Sequence, residues 1–180
     1  MATANVEANL TPPVAAQGGV PVKSATDLRD VRPTRENIAY IAARLRKRDI
    51  DEMKDTGYES REWLWESFER GEVVFVAEYK GEPIGACVVC REPVYNSVLT
   101  PSHCISMIGT DKIASIGLGG VYFSLYNIRK LNAMFPYLFA WVRDDNRTAT
   151  RYIEALGFKQ RGGKTFVNGK PATYYEKIWK

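Results

Sequence analysis

Residues 142–159, VRDDNRTATRYIEALGFK, constrain the fold more tightly than any other stretch of this 180-residue chain. They follow directly on YLFAWV, an apolar run typical of a strand buried in a sheet. Asn146 stands where a helix N-cap belongs, and Gly157 closes the helix NRTATRYIEAL that it opens. A strand that feeds a capped helix within a few residues demands a layered architecture, with helices covering a sheet.

The same alternation begins at Leu28. LRDVRP reads as a short strand, and Thr34 then caps a helix in which Ile38, Ile41, Ala42 and Leu45 recur at i, i+3, i+4 and i+7, with RLRKR on its solvated side. Ser60 is placed to cap a second helix, REWLWESFER, stopped by Gly71. Trp63, Leu64, Trp65 and Phe68 overfill one face of it, as core or as the wall of a pocket. A hairpin follows, EVVFVAEY and EPIGACVV about a Lys-Gly turn, and then the strand SHCISMIGT. SIGLGG opens an amphipathic helix through Tyr126, Ile128 and Leu131 that ends before Pro136, and a last hairpin joins KTFV to ATYYEKIW. The order is βααβββαβαββ, a mixed α/β sheet in one domain over residues 28–180. Residues 1–27, mostly Ala, Val, Pro, Gly and Thr, have the composition of a linker or arm that would order on a partner.

Several functional classes are disfavoured by composition. No run approaches the roughly 18 apolar residues of a membrane span, and the N-terminus lacks the basic and apolar regions of a signal peptide. Three cysteines (Cys87, Cys90, Cys104) are too few for a disulfide framework, which points to a reducing, cytoplasmic setting. Cys87 and Cys90 fall on opposite faces of one strand, so with the single histidine, His103, they make no metal knuckle, and no metal site is expected. From Arg147 to Lys180 eight Lys or Arg stand against two Glu. Solvated lysines are the simplest reading of that excess, and nucleic-acid binding through Arg147, Arg151, Lys159, Arg161 and Lys164 lacks the interleaved aromatics it would need.

The chemical candidate is the glycine loop. Gly117, Gly119 and Gly120 precede a helix, so the N–H groups of residues 117–121 can converge on an anion such as a pyrophosphate. Glycines there would equally serve flexibility or close helix–sheet contact. No Gly-Lys-Ser/Thr follows, as a Walker loop requires, and the loop lies too far along the sheet for a dinucleotide fingerprint.

The order of elements, the VAEYKGEPIGACVV hairpin, GLGG at the start of the third helix, and Asn146, Ala149, Gly157 and Phe158 in the opening stretch together resemble the GNAT N-acetyltransferase superfamily. The resemblance covers about Asp30 to Lys180 and implies a mostly antiparallel sheet with acetyl-CoA in a splay between the fourth and fifth strands. It implies the pantetheine against Met107 and Ile108, the pyrophosphate on Gly117, Leu118, Gly119, Gly120 and Val121, and Asn146 and Ala149 beside the cofactor. MIGTDK and FPYLFAWV are in turn similar to small GNAT-like internal virion and virion-morphogenesis proteins of short-tailed bacteriophages.

Two positions depart from the family pattern. Ala114 stands where a phosphate-directed Gln or Arg belongs, and Ile153 where many members carry the tyrosine that acts as general acid. Tyr152 is adjacent, a catalytic candidate turned about 100° away and read more simply as a core aromatic. HCISMIG contains no carboxylate to deprotonate an amine, leaving Asp111, Glu78 and Glu92 as distant candidates. The expectation is an acyl-CoA-binding protein, acetylating an amine or protein acceptor. The alternative is a non-catalytic virion or assembly protein that holds other virion proteins through residues 1–27.

Overall fold

The computed structural model describes residues 27–55, 57–91, 101–167 and 169–179; the arm, Glu92 and the tip of the last hairpin lie outside them. The elements run β1 (Leu28–Val31), α1 (Arg35–Ala42), α2 (Lys47–Asp55), α3 (Ser60–Glu69), β2 (Val73–Tyr79), β3 (Glu82–Arg91), β4 (His103–Gly109), a 3₁₀ turn (Asp111–Ile116), α4 (Gly117–Met134), β5 (Tyr137–Arg143), α5 (Arg147–Ala155), β6 (Lys159–Val167) and β7 (Lys170–Ile178). They build one seven-stranded sheet in the order β1-β2-β3-β4-β5-β7-β6, in which only β4 and β5 are parallel. The expected mixed, mostly antiparallel α/β architecture is the one observed.

Local chemistry explains most boundaries. Thr34 and Asn37 form a reciprocal cap on α1, Thr34 accepting from the Asn37 N–H at 3.3 Å and Asn37 from the Thr34 N–H at 2.8 Å. The β2–β3 turn is made by Lys80 and Gly81 with φ of 52° and 81°, the paired positive values of a two-residue hairpin that matches strand twist. Asn146 accepts the Ala149 N–H at 2.9 Å and so starts α5 as its sequence predicts.

Two expectations are corrected. The Thr34 helix does not run through Leu45: it stops at Ala42, and Leu45 instead bridges backbone to backbone with Thr110 at the end of β4. Leu45 is still buried, so the periodic signal was true of burial and not of helix length. The RLRKR face divides there, and α2 begins, held by Lys47–Asp51 and Arg48–Glu52 pairs one turn apart. The cap of α3 is Glu59, whose carboxylate takes the Arg61 and Glu62 N–H groups at 2.8 and 3.0 Å, while Ser60 is buried as the first helical residue.

Each face of the sheet carries its own core. On one, Ile38, Ile41, Leu45 and Leu64 of the α1–α3 side pack on Val76, Ala86, Val88 and Ile108. On the other, Ile128 and Leu131 of α4 and Ile153 and Leu156 of α5 pack on Cys87, Val89, Ile105, Leu138, Ala140 and Val142. Each fully buried aliphatic side chain contributes about 1.5–3 kcal/mol, so both helical layers are firmly seated.

Candidate active site

The parallel β4/β5 ladder holds only two residue pairs, His103↔Leu138 and Cys104↔Phe139, and from Ile105 onward the strands part. Alternation fixes which backbone groups line the resulting gap. The Thr110 N–H bonds to the Ile84 carbonyl at 2.8 Å, so Thr110, Ile108, Ser106 and Cys104 turn their peptide groups toward β3, and Gly109, Met107 and Ile105 turn theirs toward β5. In a parallel ladder the pair Cys104↔Phe139 engages the Ile105 N–H. At the far end the Gly109 N–H donates to Asp49 Oδ2 at 2.8 Å, and the Gly109 carbonyl accepts from the Arg46 N–H at 2.9 Å. Between these two, the Met107 N–H faces the gap.

Around this edge the expected residues fall into different roles. Met107 is half-buried on the α4/α5 side, whereas Ile108 points to the opposite core, so the two do not share one surface. Gly117, Leu118, Gly119, Gly120 and Val121 form the first turn of α4, whose N-cap, Ile116, supplies no side-chain hydrogen bond and whose first turn holds no acid. Of these amides, those of Leu118 and Gly119 precede the first intrahelical bond of α4, whereas those of Gly120 and Val121 lie within its ladder. Their position is set by Ile113 of the 3₁₀ turn, which seats on the facing glycines Gly85 and Gly109. Asn146 and Ala149 serve α5 itself: Asn146 caps it through Ala149 and donates to Glu52 Oε1 at 2.6 Å.

Ile153, expected to face the site, is buried in the α4/α5 core. Tyr152 packs at the edge of that core, and its hydroxyl is hydrogen-bonded to Ser124 of α4. Burial raises the Tyr152 phenol above its ordinary range, opposed by the Ser124 bond and by the charge of Arg46, so it is protonated at neutral pH. Tyr152→Phe is expected to cost about 1 kcal/mol, because the buried Ser124 hydroxyl loses its partner, and Tyr152→Phe with Ser124→Ala is expected to recover most of that. Thermal melts of the parent and the two variants check this.

Of the proposed bases, Glu92 lies outside the described residues, and Glu78 and Asp111 stand apart from the gap. Glu78 pairs with Arg29 between β2 and β1, and Asp111 is exposed on the 3₁₀ turn. Of the basic cluster, Arg147, Arg151, Lys159 and Arg161 are exposed, and Arg161 pairs with Glu176 at 2.8 Å. Cys87 faces the α4/α5 core and Cys90 the other side of the sheet.

Sequence reasoning missed α2. It spans the mouth of the gap: Arg46 and Asp49 hold the end of β4, while Glu52 takes Asn146 and Asp55 takes Arg143 of β5 and Lys170 of β7. Asp49, Glu52 and Asp55 recur every three residues just after the basic run RLRKR, a spacing that puts acids along one side of a helix and was the available signal. A charged cleft of about 450 Å³ lies here, lined by Lys47, Arg48, Asp51, Glu52, Arg143 and Asp145. Burial raises the Asp49 carboxyl, against the pull of Arg46 and the Gly109 amide.

No protein-family model matches the chain, and no curated protein sequence matches it. Solved structures do. A GNAT-family acetyltransferase from Bacillus anthracis is similar with a TM-score of 0.59 at 12% identity, over 86% of this chain and 96% of the other. A ribosomal-protein-alanine N-acetyltransferase from Brucella melitensis gives 0.58 at 17%, over 84% and 98%. An N-acetyltransferase from Staphylococcus aureus Mu50 gives 0.58 at 16%, over 87% and 100%. At such identities the likeness is one of fold, and the fold is that of the GNAT acetyltransferases.

Proposed function

We propose that this chain is an acetyl-CoA-dependent N-acetyltransferase. The observation that carries the reading is the coincidence, at one end of the sheet, of a β4 edge with the Met107 N–H turned into the gap and a helix N-terminus without a side-chain cap. Acetyl-CoA suits both: pyrophosphate at residues 117–121, on the open amides of Leu118 and Gly119, and the acyl carbonyl at Met107. The amine nitrogen attacks the thioester carbon, the oxyanion is met by the Met107 N–H, and collapse expels the thiolate while the amine proton passes to water. Positioning supplies most of the acceleration, since neither Glu78 nor Asp111 reaches the gap. Tyr152 is a candidate proton donor to the thiolate, but its hydroxyl is engaged by Ser124.

The test is calorimetric titration of acetyl-CoA into the protein, followed by a thiol-release assay with an amine panel. Micromolar binding with turnover supports the reading; no heat at millimolar ligand would sink it. Binding without turnover favours the assembly reading. That reading rests on Ala114 and Ile153 and on the MIGTDK and FPYLFAWV strings, and gives the protein a place among bacteriophage virion components.

A further inference from the structure

We infer that Asp49 is a positioning residue that sets where the acyl group lies along β4; the inference rests on the acetyltransferase reading. Beyond His103, whose N–H lies in the ladder to β5, three amide N–H groups of β4 point toward β5, those of Ile105, Met107 and Gly109. The first is engaged in the ladder to β5. The third is occupied from within the chain by a carboxylate that is itself only 6% exposed. Asp49 Oδ1 is fixed at the same time by Arg46 Nε at 2.7 Å, and the Arg46 N–H closes the Gly109 carbonyl. Asp49 therefore cannot turn away to act as a base, and together with the Leu45–Arg46 backbone beside Gly109 it removes one of the two amides that the β5 ladder leaves unpaired.

Met107 and Gly109 lie about 6.5–7 Å apart along the strand, far more than the few tenths of an ångström that a reacting carbonyl tolerates. A chain with both amides open would hold the thioester in two registers, only one of them opposite the amine. By covering Gly109, Asp49 leaves a single register.

The consequence differs from that of a residue that merely holds the fold. Non-productive binding lowers kcat and KM for acetyl-CoA by the same factor and leaves kcat/KM unchanged. Asp49→Ala is expected to lower both about five-fold, with kcat/KM within two-fold of the parent. Asp49→Asn keeps an oxygen for the Gly109 N–H and is expected to behave as the parent enzyme. A fall in kcat/KM with unchanged KM, or no effect of Asp49→Ala, overturns the inference.

The unmodified protein offers a readout that needs neither turnover nor a stable variant. In ¹⁵N-resolved amide spectra, acetyl-CoA is expected to shift the Met107 resonance and leave Gly109 in place. A shift at Gly109 overturns the role of Asp49 while the acetyltransferase reading stands. Absence of any acetyl-CoA binding overturns both, and calorimetry distinguishes the two failures.

Discussion

Gly109→Ala is expected to lower stability by about 3 kcal/mol, since Gly109 is the most crowded of the described glycines. A Cβ at Gly109 would overlap the Ile84 carbonyl and the Ile113 side chain and come within 2.8 Å of Gly85 Cα. Two of these three neighbours are backbone of the adjacent strand, so no rotamer change relieves the contact. The facing Gly85 is nearly as constrained, since a Cβ there meets Ile113 Cδ1 at 2.7 Å and the Ile108 carbonyl at 3.3 Å. Shortening the side chain through Ile113→Ala should therefore rescue Gly85→Ala in good part and Gly109→Ala only in small part. Denaturant unfolding of the three single variants and the two double variants measures this, and a cost below 0.5 kcal/mol for Gly109→Ala would contradict the strand spacing described here.

Gly119→Glu is expected to weaken acetyl-CoA on the order of 100-fold while leaving the protein folded. The carboxylate would face the ligand's pyrophosphate over a few ångströms at a site of intermediate dielectric, where like charges repel by several kcal/mol. The same charge in the first turn of α4 favours the helix, whose macrodipole is positive there, and replacing glycine removes backbone entropy from the unfolded chain. Affinity and melting temperature should thus move in opposite directions, a combination that misfolding cannot produce. Gly119→Gln separates charge from bulk and should bind within about five-fold of the parent. Equal affinity in folded Gly119→Glu would remove the pyrophosphate from residues 117–121.

What the residues disclosed and what they hid follow from the range of the interactions involved. Caps, turns and apolar periods act over a few residues, so the Thr34 and Asn146 caps, the Lys80-Gly81 turn and the sheet-forming runs were legible. Leu45 was assigned correctly to the interior but to the wrong element, because burial against Thr110 and burial on a helix leave the same apolar letter. Ile153 and Tyr152 show the same limit: a rotation about α5 is decided by the packing of Leu138, Ala140 and Ile128, which lie elsewhere in the chain. The partnership of Asp49 with Gly109 joins residues 60 positions apart, and no local pattern records it. Glycine at 85 and 109 was equally opaque, since the atoms that exclude a side chain at each belong to strands and turns met only after folding.

The parallel junction between β4 and β5 also bears on how the chain reaches its fold. Strands β1 to β4 pair in sequence order, and β5, β6 and β7 pair among themselves, so each half consists of antiparallel neighbours, and apart from the α1–α3 excursion between β1 and β2 their connections are shorter than the one between β4 and β5. The short closures are fast, whereas joining the halves requires the β4–α4–β5 excursion for a sheet pairing of only two residue pairs. The seam is the natural last step of assembly and the first place to open, with each half exchanging its amides as a unit. The gap assigned to the thioester lies along that seam, so the same sparse pairing that makes room for a ligand also makes the ligand a clamp between two foldons, and acetyl-CoA should slow unfolding more than it speeds folding.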